Sequence, residues 1–265
     1  MKSEKIRASL WGLISGVYLM TAFVNPYDRE ISLSEVILQL SGSRGSFVMG
    51  CSLPELLSYM LRMLPCYAVS MIWGIDLYHH FCTAGVYVFS RCTNRLKWYR
   101  SILISLFVKV CIFETVLTGT VILLSSFCFR VKFRQDGLII LGCHLSVFFL
   151  WNFSWILLMN LLALMSGSSM AAVVVMGIQT IGLAGLGIAG FLETRHASNL
   201  MIEKLVQLNP ISCTVLGWQF EGTYSMKSTH ALLFLTMCCI VVIITGGILI
   251  HRSELLTDNR EMEMM

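Results

Sequence analysis

The sequence predicts an all-α integral membrane protein: a bundle of six transmembrane helices forming a single transmembrane domain over residues 1–265, with both termini cytoplasmic. Three observations predict it. Of the 265 residues, 56% are hydrophobic and 13% charged, where a soluble domain carries about a quarter charged residues. The mean hydropathy is +0.76, too apolar for a globule that must cover its surface with polar groups. Six stretches meet the roughly 20 apolar residues that an α-helix needs to cross a bilayer core. Soluble enzymes and nucleic-acid-binding domains are thereby excluded; the net charge of +4, from 19 basic and 15 acidic residues, is dispersed along the chain and makes no nucleic-acid footprint. Helices satisfy their own backbone groups in lipid, and the ten-residue alternating strands of a β-barrel are absent.

The first span, about 8–24, follows Lys2, Lys5 and Arg7 and stops at Asn25-Pro26. No small-x-small cleavage site follows Met20, so it reads as a retained signal-anchor. The second, about 56–75, is interrupted by Arg62 and by Pro65, which is expected to kink it. The third covers about 102–127, the fourth about 138–165, the Gly- and Ala-rich fifth about 170–192, and the sixth about 231–250, ending at His251-Arg252. An even number of spans puts both termini on one side, and the basic amino terminus makes that side cytoplasmic. Lys and Arg outside the spans divide nine to eight in favour of this orientation, with Arg130, Lys132 and Arg134 counting against it.

The connections are unequal. Outside, Leu33, Val36, Ile37 and Leu40 recur at helical spacing, as does a run at 200–208 stopped by Asn209-Pro210. Both predict short amphipathic helices, the first lying on the membrane surface. The run Ile211 to Trp218 is apolar enough to re-enter the interface. Inside, the fourth and fifth spans are joined only by Ser166-Gly167-Ser168-Ser169, and the tail from Ser253 is a polar, unstructured end. The most informative connection is 76–100, whose first half is apolar and whose second half is basic. It predicts a helix at the cytoplasmic surface, a basic turn, and an amphipathic re-entry into the third span.

Asp76, then Gly85-Val86-Tyr87-Val88-Phe89, Ser90-Arg91 and Arg95-Leu96-Lys97-Trp98 resemble the region after the second span in membrane subunits of type-two ABC exporters. That family has an acidic residue there, a Gly followed by apolar residues, and a basic turn. Ser90-Arg91 stands where the family usually has Pro. The plan is similar over nearly the whole chain: six spans, a tight fourth-to-fifth turn, and external helices with a Pro before the sixth span. The resemblance implies a cytoplasmic coupling helix between spans two and three that docks into an ATPase, with Asp76, Gly85, Val86, Phe89, Arg91, Arg95 and Trp98 as ATPase-coupling residues. It further implies a multi-pass protein of the bacterial plasma membrane that exports a peptide (antimicrobial peptides among them), a lipid or a drug-like molecule. The partners implied are an ABC ATPase subunit and a second permease subunit, in a homo- or heterodimer within the lipid bilayer, with no nucleic acid.

No Gly-x-x-x-x-Gly-Lys-Ser/Thr run exists to cradle phosphates. The chain is therefore expected to be no enzyme and to hold no cofactor, with ATP and Mg²⁺ bound by the partner ATPase. Polar residues inside spans are costly and mark function by default. Lys109 and Glu114 in the third span, with His144, Asn152 and Asn160 in the fourth, are therefore singled out. Counting 1.5 Å per residue along antiparallel helices puts Glu114 and Asn152 near one level, Lys109 nearer the cytoplasm, from where it can snorkel, and His144 nearer the outside. Glu114, Asn152, His144 and Lys109 are thus candidates for a substrate path. The competing expectation is a structural hydrogen bond from Glu114 to Asn152 or Lys109.

Trp98 and Tyr99 also suit an interfacial anchor, and Gly185 with Ala189 suits close helix packing. The ten cysteines hold no Cys-x-x-Cys pair; no metal site is expected, and Cys51 with Cys213 is the one pair that could meet outside. Glu114 with His144 is the only constellation for intramembrane proteolysis, and it lacks that chemistry's motifs. The alternative to an exporter is a non-transporting membrane protein, an immunity factor, scaffold or sensor partner that binds a peptide or another membrane protein.

Overall fold

The first span begins well before its apolar run: α1 (Lys2–Phe23) carries its charged first turn as helix, with Glu4 placed where the helix dipole favours an acid. In the computed structural model, which describes residues 2–24, 30–42, 53–80, 95–194, 199–221 and 227–252, a strand β1 (Glu30–Ser32) and α2 (Leu33–Leu40) follow. Ser32 caps α2, its hydroxyl accepting from the Glu35 N–H at 3.3 Å, the Ser-x-x-Glu start signal. After these come α3 (Leu53–Trp73), a turn at Gly74-Ile75 and a short helix at 76–80. The chain continues through α4 (Arg95–Cys128), β2 (Arg130–Lys132), α5 (Gln135–Ser166) and α6 (Ser168–Thr194). It ends in α7 (Asn199–Leu208), a 3₁₀ turn Ser212–Thr214, α8 (Leu216–Glu221) and α9 (Ser228–Arg252). Six of these segments are long and apolar enough to cross a membrane: α1, α3 with its extension to His80, α4, α5, α6 and α9.

Leu77, Tyr99 and Ile250 form an apolar cluster with Trp98 and Leu164. The end of α3, the start of α4 and the ends of α5 and α9 therefore meet at one end of the bundle, here the terminal end. At the other, β1 and β2 pair in parallel with Glu30, Ile31 and Ser32 opposite Arg130, Val131 and Lys132. This ribbon end also carries α2, α7, the 3₁₀ turn and α8. An exposed Glu30–Lys132 ion pair closes the ribbon, and Lys132 holds the Glu30 carboxyl below the usual carboxylate range.

α1 and α4 run parallel and touch through glycines. A Cβ on Gly12 would stand 2.8 Å from the Phe113 carbonyl oxygen, and one on Gly16 2.7 Å from Thr120 Cβ and 2.8 Å from the Leu117 carbonyl oxygen. Gly12-x-x-x-Gly16 is thus the small-residue seam that lets two backbones approach in a membrane. The expected seam of Gly185 and Ala189 takes a different role. A Cβ on Gly185 would meet only Asn209, at 3.5 Å, and α6 lies against α7 and the turn after it, with Asn209 donating to the Gly182 carbonyl at 2.6 Å.

α3 is interrupted twice, and both interruptions are repaired from other helices. Pro65 leaves the Leu61 carbonyl without its helical N–H, and the Tyr18 hydroxyl donates to that oxygen at 3.1 Å. The helix continues through Pro65 and breaks at Gly74-Ile75 instead. There the Asn160 side chain takes both halves of one helical bond: its Nδ2 donates to the Trp73 carbonyl at 2.8 Å, and its Oδ1 accepts from the Leu77 N–H at 2.7 Å. A polar side chain inserted into the ladder is a recognised cause of bending.

Several expectations change. The helix of the third span starts at Arg95 rather than near 102, because α5 and α9 cover its first turns through Tyr99. Tyr99 is buried and donates to the Ile243 carbonyl at 3.3 Å, so it is an inward packing residue and not an interfacial anchor. α2 does not lie on a membrane surface: Leu33, Val36, Ile37 and Leu40 are all buried, because Gly137 of α5 lets Leu33 approach to where a Cβ would stand 3.0 Å away. The run at 211–218 is buried at every position, while Pro210 before it is half-buried. Gly167, at φ +84°, is the single residue between α5 and α6, a conformation that side chains resist.

Candidate functional site

Of the polar residues singled out inside the membrane, Lys109 and, apart from it, Glu114 with Asn152 form two tiers along the bundle axis, and a third tier, of residues not singled out, lies at the ribbon end. At the terminal end, Lys109 of α4 is 6% exposed and gives its ammonium to Asp76 Oδ2 at 2.7 Å and to Glu4 Oε2 at 3.3 Å. Three separate elements are tied by one cation. Lys109 therefore does not snorkel to water, and it does not pair with Glu114. The contact joins a residue expected to couple to an ATPase with one expected in the substrate path. Asp76 follows directly on the break that Asn160 stitches, so α3, α4, α5 and the start of α1 all converge there.

The second tier lies five residues further along α4, about 7.5 Å by helical rise. Glu114 and Asn152 are 2% and 0% exposed, and the Asn152 side-chain amide donates to Glu114 Oε1. The near-equal depth expected of them holds. Cys66 of α3 lies beside both, so three spanning helices meet at this point. Among the described residues, no Lys or Arg pairs with Glu114. Asn152 Oδ1 is buried without a hydrogen-bond partner among the described residues, as are Thr118 Oγ1, one turn nearer the ribbon end on α4, and Ser70 Oγ, one turn nearer the terminal end on α3. His144, two turns from Asn152 toward the ribbon end, is 1% exposed and packs its ring 4.3 Å from that of Phe148, with Nδ1 unpartnered among the described residues.

No protein-family model, curated protein or solved structure matches the chain. What the site can do rests on its own geometry.

The third tier closes the ribbon end. The segment 211–216 is fully buried in the bundle, and Thr214 hydrogen-bonds Tyr59 of α3. Tyr59 is seven residues from Cys66 on α3, about 10 Å along the helix. The plug is held internally as well: the Ser212 hydroxyl donates to the Asn209 carbonyl at 2.6 Å, and Gln219 Nε2 donates to the Cys213 carbonyl at 2.6 Å. The sequence marks it only as an apolar run after Pro210. Nearby, the half-buried Arg62 guanidinium sits 4.9 Å over the Phe23 ring, the partner that makes a cation tolerable within the second span.

Cys213 lies in the plug as a free buried thiol; Cys51, the residue it could meet outside, lies beyond the described residues. Burial pushes the Cys213 thiol up to about 12, leaving almost no thiolate to react. Cys128, at the ribbon end of α4, is exposed. In single-cysteine variants in intact cells, an impermeant maleimide is expected to label Cys128 rapidly and Cys213 only after denaturation. Fast native labelling of Cys213 would contradict the buried plug, and a silent Cys128 would contradict the expectation from the basic amino terminus that both termini are cytoplasmic.

Of the remaining expected coupling residues, Trp98 packs into the apolar cluster of Leu77, Tyr99 and Ile250, and Arg95 opens α4. Gly85, Val86, Phe89 and Arg91 lie outside the described residues. Sequence reasoning missed Glu4, Cys66, Ser70, Thr118, Tyr59 and Thr214. A one-helix signal existed for two of them, since Thr118 is i+4 from Glu114 and Ser70 is i+4 from Cys66. Glu4 and the Tyr59–Thr214 contact carry no local signal.

Proposed function

We propose that this chain is the membrane subunit of an ATP-driven ABC exporter in the bacterial plasma membrane. Two such permease subunits work with a separate ATPase to move a peptide, lipid or drug-like substrate outward. The observation that carries the reading is a buried polar centre, Glu114 with Asn152, enclosed between two polar latches at opposite ends of the bundle. Lys109–Asp76–Glu4 closes one end and Tyr59–Thr214 the other. A transporter needs a central site that each end can expose in turn, and latches made of one ion-pair cluster and one hydrogen bond break at modest cost.

The terminal latch also sits where a partner could act on it. The segment resembling a coupling helix follows the short helix at 76–80 in the sequence. A push on that segment would reach Asp76 through the short helix at 76–80 and separate α3 from α1 and α4 at Lys109. Asn160 ties both sides of the break at Gly74 to α5, so the bond from the Leu77 N–H must open for the helix at 76–80 to move.

The test is the ATPase. The full chain, purified from its native host in mild detergent, is expected to bring down a P-loop ATP-binding protein, and altering Gly85 to Phe89, or Arg91 with Arg95, is expected to release it. Purification of the chain alone, with its native activity undiminished, would sink the exporter reading and favour a non-transporting peptide-binding protein.

A further inference from the structure

The middle tier holds an acid with no cation beside it among the described residues. Glu114 is 2% exposed at the centre of the bundle, where an unpaired carboxylate is costly. Of the cations within the spans, Lys109 is committed to Asp76 and Glu4 and Arg62 sits over the Phe23 ring. The one donor that reaches Glu114 among the described residues is the neutral Asn152 amide.

Asn152 Oδ1, 0% exposed as a residue, is an acceptor only, whereas the Thr118 and Ser70 hydroxyls can donate as well as accept. Cys66, beside Asn152 and Glu114, offers no more than a weak thiol donor. Glu114 and Asn152 therefore both present acceptor oxygens, with no positive charge beside them among the described residues. What the site lacks is a cation bearing N–H groups.

We propose that Glu114 and Asn152 bind a positively charged N–H group of the transported molecule, a primary ammonium or a guanidinium, as α3, α4 and α5 part at this level. The ammonium donates to the Glu114 carboxylate and to Asn152 Oδ1. In the closed bundle the space is filled by side chains, so the cation enters and leaves only as one of the two latches opens. This assignment rests on the transport reading and narrows it to substrates that carry an amine or guanidine.

The probe is dansylcadaverine, a fluorescent amphipathic primary amine, with its neutral N-acetyl derivative as the control, added to the full chain in lipid nanodiscs. Saturable binding is expected for the wild type and for Thr115→Ala, which alters an exposed position on the same helix. Glu114→Gln, checked for an unchanged melting temperature, is expected to weaken it at least about tenfold, the loss of one charge-assisted hydrogen bond. Glu114→Asp is expected to retain more affinity than Glu114→Gln, and the N-acetyl derivative is expected not to compete. Wild-type binding that is absent, that Glu114→Gln leaves intact, or that the N-acetyl derivative displaces equally well overturns the proposal. Because the assay needs no ATPase, Glu114-dependent amine binding without any co-purifying ATPase would sink the exporter reading and leave the amine site standing.

Discussion

Lys109→Met is expected to lower the stability of the bundle by about 2 kcal/mol. A fully buried pair stripped of one partner costs about 3–5 kcal/mol, and the smaller figure reflects the solvent access that Asp76 and Glu4 keep, at 24% and 41% side-chain exposure. The loss has two parts. The ammonium's contacts disappear, and two carboxylates drawn together by one cation are left facing each other. Asp76→Asn alone is expected to cost less, because Glu4 remains to partner Lys109. The double variant Asp76→Asn with Lys109→Met is expected to be less harmful than the sum of the two, the mark of direct coupling. Thermal unfolding in detergent measures all three, and strict additivity would show that the contact carries no energy. On the exporter reading, the same variants would also uncouple ATP hydrolysis from substrate movement, since the latch joins the helices that must separate.

Gly16→Leu is expected to have an effect of similar size, about 2–3 kcal/mol, for a reason that involves no charge. The added Cβ alone would stand 2.7 Å from Thr120 Cβ and 2.8 Å from the Leu117 carbonyl oxygen, so α1 must move away from α4. Overpacking of this kind typically costs 1–3 kcal/mol, and here displacement also pulls Glu4 off Lys109. Gly119→Ala is the natural contrast. A Cβ there meets nothing within 4 Å, and exchanging a helical Gly for Ala is expected to stabilise by about 0.5–1 kcal/mol. Melting temperatures that fell equally for the two changes would contradict the α1–α4 seam.

The six spans were legible because apolar length is a property of a segment by itself. Their ends were less so where a neighbour decides them, as at Arg95, whose helix persists because Tyr99 has α9 to pack on. Glu114 and Asn152 could be brought to one level by counting residues, since both sit on long regular helices whose directions follow from the number of spans. Lys109 could not be assigned its partner that way. Asp76 and Glu4 come from other elements, and choosing them over Glu114 depends on how helices rotate against each other. α2 shows the same limit: its apolar face was plain, but whether that face met lipid or protein depended on Gly137, a hundred residues away. Gly12-x-x-x-Gly16 was readable and overlooked, while Pro65 drew attention from the break at Gly74 because the residue that makes the break, Asn160, belongs to a different span.

The two repairs in α3 also set an order for building the protein. Tyr18 is already made when Leu61 emerges, so the gap left by Pro65 can be filled as soon as two spans are present. Asn160 comes 83 residues after Leu77. Until then the Leu77 N–H has only the Trp73 carbonyl, its ordinary helical partner. The interruption at Gly74 is therefore expected to form only once the fourth span arrives and trades one backbone bond for two of its own.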